Sequence, residues 1–316
     1  MPSIGILYEH PQWFQPLFDE LDRRRVPFER IPASRLSYDP QQEPEYDVVV
    51  NRMSPSAWLR GNEAALFSVP DYLDYLEEGG VRVVNGSRAF AFEVSKARQL
   101  GLLSRLGIRH PLGRVITNPS DALAAADGMH YPVLIKPNIG GSGAGIVSFA
   151  GEAELRVAAA GDELDFGPDG TALVQEHLPA AGDAVYRLEF LNGELLYGIR
   201  LLLVPGSFNL CPADYCDLPG IADGVSGRGI AIESFSPADE VIADAARILE
   251  MAGADVGGVE YLINARDSLP YFYDVNALSN FVADAPDVVG FDPFVNFVDY
   301  IVDLAQQPMA AVGNFR

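Results

Sequence analysis

Residues 136–145 read Lys136-Pro137-Asn138-Ile139-Gly140-Gly141-Ser142-Gly143-Ala144-Gly145. The apolar run Val133-Leu134-Ile135 leads into them and Ile146–Phe149 leads out, so this glycine-rich loop joins two strands rather than a strand and a helix. The lysine precedes the glycines, which separates the segment from the Walker A loop, where it follows them. Glycines let backbone N–H groups approach phosphate oxygens, and a lysine at a strand end supplies a point charge. Alone, such a loop is also what an ordinary flexible turn with a surface lysine looks like.

Two hairpins downstream change the balance. Asn192-Gly193 is a strong two-residue turn signal between Ala184–Leu191 and Glu194–Val204. If Leu191 faces Glu194, then Arg187 faces Gly198 and Val185 faces Arg200. Leu188, Phe190, Tyr197, Ile199 and Leu201 then share a core face, and Arg187, Glu189 and Arg200 the other. The second hairpin joins Gly257–Asn264 to Pro270–Asn276. With Asn264 opposite Pro270, Glu260 falls opposite Asp274, and Asn276 points the same way, while Val259, Tyr261, Ile263, Tyr273 and Val275 fill the buried face. Facing like charges destabilise a sheet, so the pair calls for a cation. Two carboxylates and an amide put three oxygen ligands on one face.

Upstream, Ser3–Tyr8, Pro27–Ile31, Asp47–Asn51 and Val81–Asn85 read as strands alternating with helical spacing at Trp13–Arg25 and Tyr72–Glu78, a small parallel sheet wrapped by helices. No Gly-x-Gly-x-x-Gly follows the first strand, which disfavours a dinucleotide site. Phe92–Leu106 reads as one helix capped by Gly107. Pro205–Ile230, rich in glycine and proline, reads as a lid over an acceptor site.

The loop, the lysines and the hairpins together resemble the ATP-grasp superfamily, on the branch of the ribosomal-protein glutamate ligase and glutathione synthetase. The resemblance spans nearly the whole chain and is strongest in Tyr131–Ile146 and Gly257–Asn280. It implies an α/β chain in three parts: residues 1–90 as an N-terminal domain, 91–178 as a central subdomain with the glycine loop, and 179–316 as a C-terminal subdomain with the metal hairpin. It implies ATP with Mg2+, or Mn2+ in its place. Lys96 and Lys136 match the nucleotide lysines, and Gly141, Ser142 and Gly143 the loop over the phosphates. Glu176 and His177 match the segment that reads adenine, Asp183 the ribose contact, and Asn209 a further nucleotide or metal contact. Glu260, Asp274 and Asn276 match the metal ligands. Arg200 resembles the basic residue near the transferring phosphate and is expected, with Lys136, to be catalytic. Arg52, Arg187 and Arg228 are expected on the substrate side.

The sequence departs from those relatives in three places, one of them the segment Phe208–Cys216. Glu260 and Asp274 stand exchanged relative to their usual order, and Ala277-Leu278-Ser279-Asn280-Phe281 replaces a proline- and glycine-containing segment. The implied activity is ATP-dependent ligation of a small-molecule carboxylate to an amine through an acyl phosphate. A phosphotransferase or a non-catalytic ATP-binding regulator on the same fold are the alternatives.

Composition narrows the partners. Forty-four Asp and Glu against 22 Lys and Arg give a formal charge of −22 over 316 residues, which argues against nucleic acid and anionic lipid as partners. Cys211 and Cys216 are too few for a disulfide scaffold. No stretch approaches the about 20 apolar residues that span a bilayer, and the first residues lack a signal-peptide pattern. A cytoplasmic protein is expected, with a homo-oligomer left open.

Overall fold

The computed structural model describes residues 3–141, 143–161, 164–203 and 231–307. The expected sites Ser142, Asn209 and Arg228, both cysteines and the expected lid all lie outside these residues.

A four-stranded parallel sheet comes first, ordered β2-β1-β3-β4. Its strands are β1 (Ile4–Tyr8), β2 (Glu29–Pro32), β3 (Val48–Arg52) and β4 (Arg82–Val84). Helix α1 (Gln15–Arg23) covers one face through Leu17, Phe18 and Leu21. Helix α2 (Glu63–Glu78) covers the other through Leu66, Val69, Leu73 and Leu76. It begins nine residues before the expected Tyr72 and passes through Pro70. That proline removes one helical hydrogen bond, and the continuous buried stripe around it outweighs the loss.

The expected single helix over 92–106 is two: α3 (Ser87–Glu93) and α4 (Lys96–Leu106). Ser95 breaks them, because its hydroxyl caps the new helix by accepting from Arg98 N. Gly107 closes α4 in the left-handed region, φ 68°. Next comes an antiparallel sheet ordered β5-β8-β6-β7, from β5 (Gly113–Ile116), β6 (Val133–Pro137), β7 (Val147–Phe149) and β8 (Ala172–Glu176). It is backed by α5 (Ala122–Ala125) and α6 (Glu152–Ala160).

The third sheet, ordered β11-β10-β9-β12-β13, contains β9 (Ala180–Leu191), β10 (Glu194–Leu202), β11 (Ile232–Ser234), β12 (Val256–Asn264) and β13 (Pro270–Asn276). Helix α7 (Asp239–Ala252) lies on one face, over Leu188, Phe190, Val259, Tyr261 and Phe272; α4 contributes Leu102 and Leu103 to that core. Helices α8 (Ala285–Val289) and α9 (Pro293–Gln306) follow. The second face of the sheet, through Val185, Ile199, Leu201 and Leu262, merges into one core with α9, α1 and β1.

Both hairpins carry a bulge that the turn arithmetic lacks. In the first, Leu191 pairs with Glu194 as expected, but the register shifts between Leu195 and Tyr197, so Arg187 faces Ile199 and Arg200 faces Tyr186. One extra residue moves every later side chain of β10 to the opposite face. Tyr197, Ile199 and Leu201 therefore join the core opposite to that of Leu188 and Phe190. In the second hairpin Ile263, not Asn264, faces Pro270, yet a shift between Glu260 and Tyr261 restores Glu260 opposite Asp274. The two offsets cancel. Phe272 fills the core place expected of Tyr273.

Candidate active site

A cleft of about 850 Å³ opens between the β5-β8-β6-β7 sheet and the inner face of β9, β12 and β13. Lys96, Lys136, Arg187, Glu260, Asp274 and Asn276 line it together with Gly141 and Gly143. Lys136, last but one on β6, is 6% exposed. Burial, and then the neighbouring Lys96, pull its ammonium down to about 7. Lys96 opens α4. Burial opposes its charge too, but Asp274 outweighs that and raises its pKa; its Nζ stands 2.6 Å from Asp274 Oδ1.

Cations flank the carboxylates of β9, β12 and β13. Strand register sets Arg187 beside Glu260, and Glu189 beside Gly258. Arg187 Nε donates to Glu189 Oε1 at 2.5 Å and Nη1 to Glu260 Oε1 at 2.9 Å. This needs Gly258: a Cβ there would stand 2.7 Å from Arg187 Nη2 and 2.8 Å from Glu189 Oε1. Burial raises the Glu260 pKa, with Arg187 opposing. Burial acts the same way on Asp274, but Lys96 and Lys136 prevail and hold it down. The cations that the facing carboxylates call for are thus supplied by the chain itself.

Glu93, which the sequence reading passed over, ends α3 fully inside the protein and lines the cleft. Its carboxylate accepts from Ala277 N and from Leu278 N, the latter at 3.1 Å. Burial pushes it up to about 7 against the pull of these N–H groups. Asn138 was quoted in the loop without a role. Its backbone O accepts from Lys96 N at 3.2 Å and its Oδ1 from Ala97 N at 2.9 Å, pinning α4 to the glycine loop.

Glu176, His177 and Asp183 line the cleft together, beside Leu134, Ile146 and Leu262. Glu176 is gripped by Arg266 and lies 3.3 Å from His130 Nδ1. Burial, then Arg266, lower the His177 pKa. Asp183 is exposed, at φ 46°. At the other end, Trp13, Ser54, Ser56 and Asn280 form the wall.

Two expected residues are elsewhere. Arg200 does not line the cleft; the bulge in β10 turns it to the other face, 3.7 Å from Glu233. Arg52 is fully buried behind the wall, 5.0 and 5.5 Å over the Phe14 and Phe297 rings. Its Nη2 donates to Ser279 O and to Asn280 Oδ1, the latter at 3.2 Å, so it holds the segment after Asn276.

Among the described residues no group of three His, Cys, Asp or Glu side chains could hold a metal ion. The donors on the hairpin are two carboxylates and an amide, with Asn276 Nδ2 3.5 Å from Glu260 Oε1. Turned over, that amide offers its oxygen beside the same carboxylate. Three hard oxygens on one sheet face fit magnesium, which keeps several waters and takes phosphate as further ligands.

No protein-family model matches the chain. A probable alpha-L-glutamate ligase of Aliivibrio fischeri is 27% identical over 235 residues, covering 74% of this chain and 69% of that protein. The solved structure of D-cycloserine synthetase DcsG superposes with a TM-score of 0.68 at 16% identity, covering 96% of this chain and 99% of that one. The chain has the ATP-grasp fold. The ATP-grasp ligase PsnB, solved with a minimal precursor, Mg and ADP, superposes with a TM-score of 0.66 at 17% identity over 96% of this chain and 97% of that one. Among the described residues no helix is long and apolar enough to cross a membrane.

Proposed function

We propose that this ATP-grasp chain is a ligase that joins a carboxylate to an amine at the expense of ATP, releasing ADP and phosphate. One observation carries the reading: Lys96 and Lys136 share a single cleft with Glu260, Asp274 and Asn276, and Gly141 and Gly143 line it too. The relatives being ligases supports it.

Chemically, the substrate carboxylate attacks the γ-phosphorus and ADP departs. The amine then attacks the acyl carbon, phosphate leaves, and the amine nitrogen loses a proton. No protein nucleophile is required, so positioning and charge cancellation supply the rate. Lys136 donates to phosphate oxygens from a buried strand end. The loop glycines bring backbone N–H groups close to the same oxygens. Glu260, Asp274 and Asn276 would hold magnesium, or manganese in its place, which when bound screens the phosphate charge. Arg187 orients Glu260. Glu176, His177 and Asp183 are proposed to receive adenine and ribose, and Trp13, Ser54, Ser56 and Asn280 to face the substrate. The precursor peptide bound by PsnB makes a peptide acceptor one candidate beside a free amino acid.

We assign three working units, 1–90, 91–178 and 179–316, with α4 packing on the core of the third. Incubation with Mg-ATP, a pool of carboxylates and hydroxylamine tests the activity. A ligase yields a hydroxamate with ADP; a phosphotransferase yields ADP and no hydroxamate. A binding-only protein yields neither.

A further inference from the structure

Both carboxylates of the metal hairpin already hold a cation of the chain, but the two cations are held differently. Arg187 is locked by Glu189 on one side and Glu260 on the other, flat over Gly258. Lys96 has Asp274 as its one side-chain hydrogen-bond partner among the described residues. Its backbone, meanwhile, is fixed, because Asn138 accepts from both Lys96 N and Ala97 N. The ammonium sits on a flexible four-carbon stem and can leave Asp274 without any movement of α4. Lys136 lies close enough to repel it.

An ammonium 2.6 Å from Asp274 Oδ1 and a magnesium at about 2.1 Å from the same oxygen would stand only about 4 Å apart. Their repulsion in a buried site opposes holding both at once. We propose that Lys96 is an exchange cation. It screens Asp274 against metal until a polyphosphate draws the ammonium off, and only then does Asp274 become a metal ligand. Metal and nucleotide therefore enter as an interdependent pair, and free metal is turned away. The inference rests on the ligase reading for the identity of the two ligands and deepens it by an order of binding.

Manganese binding to the full chain tests this without any turnover, read by water proton relaxation enhancement. Wild-type protein is expected to bind manganese weakly alone and tightly with saturating ADP. Lys96→Met, similar in length and uncharged, should bind manganese alone at least tenfold more tightly than wild type. Coupling being reciprocal, the gain that ADP confers should shrink by a similar factor in the variant. Lys96→Gln repeats the measurement should the methionine variant not fold. Unchanged manganese affinity in a folded Lys96 variant, with ADP still promoting binding in wild type, overturns the exchange and leaves the ligase reading standing. Wild-type protein that binds no manganese even with ADP overturns both.

Discussion

Lys136 and Glu93 are two buried titratable groups, each brought to about 7 from opposite sides. Lys136 is an ammonium that burial and Lys96 have made easy to deprotonate. A phosphate beside it restores the charge. Nucleotide binding above pH 7 must then take up a proton, and affinity should fall as pH rises from 7 toward 9. Calorimetry of ADP binding in buffers of different ionisation enthalpy measures that uptake directly; equal heats in all buffers would count against it. Lys136→Ala should remove the proton uptake and most of the thermal stabilisation by Mg-ATP, which linkage sets at about 2.7 kcal/mol for ligand at a hundredfold its Kd. Glu93 has the opposite sign. Its folded pKa lies above that of the unfolded chain, so its contribution to stability is full below about 4.5 and is lost as pH rises through about 7. Glu93→Gln keeps an acceptor for Ala277 N and Leu278 N while removing the charge. Its stability should change less between pH 4.5 and 7 than wild type, and exceed it at pH 8 by about 1–3 kcal/mol. Chemical denaturation at the two pH values decides it.

At the scale of strands, β-bulges divide what the sequence could disclose from what it could not. Most strand positions, the Asn192-Gly193 turn, the parallel character of the first sheet and the grouping of Glu260, Asp274 and Asn276 all follow from periodicity and turn chemistry. A bulge leaves no such mark, since one extra residue alters neither composition nor alternation over short runs. Hence Arg200 is expected on the same sheet face as Arg187 and points instead to Glu233. The Glu260–Asp274 pairing was legible only because the turn offset and the bulge compensate. Long-range pairings such as Glu93 with Ala277 and Leu278, or Asn138 with Ala97, had no local signal at all. The same geometry separates two substitutions. Arg200→Ala removes a half-exposed pair of 3.7 Å, worth under about 1 kcal/mol, and should leave stabilisation by Mg-ATP intact. Gly258→Ala drives a methyl into the Arg187–Glu189 contact and should lose about 1–3 kcal/mol, with much of the metal affinity. Denaturant midpoints of the two variants should differ accordingly; if Arg200→Ala proves the more damaging, the bulged register is wrong.

Across the whole molecule, Asn85 fastens the first sheet to the third. It sits 2% exposed at φ 54°. Its Nδ2 donates to Val256 O at 2.7 Å and to Ala277 O, and its Oδ1 accepts from Asp255 N at 2.7 Å and Val256 N at 3.2 Å. Asn85→Ala strands those backbone groups in the interior and should cost about 2–4 kcal/mol. Asn85→Gly keeps the left-handed backbone and should cost nearly as much, because the amide and not the dihedral does the fastening; thermal melts of the pair test this. The same joining of distant parts appears in α9. Its Phe294, Phe297, Val298 and Ile301 lie in one core with Ile4, Ile6, Phe14 and Leu17, and Arg24 reaches across to Val295 O at 2.9 Å. On the ribosome, then, the first strands emerge with an apolar face that the adjacent α1 covers only in part. The rest of that face must wait, exposed, until α9 has been synthesised. Nascent chains halted before α9 should stay protease-sensitive in their first ninety residues and depend on holding chaperones for solubility.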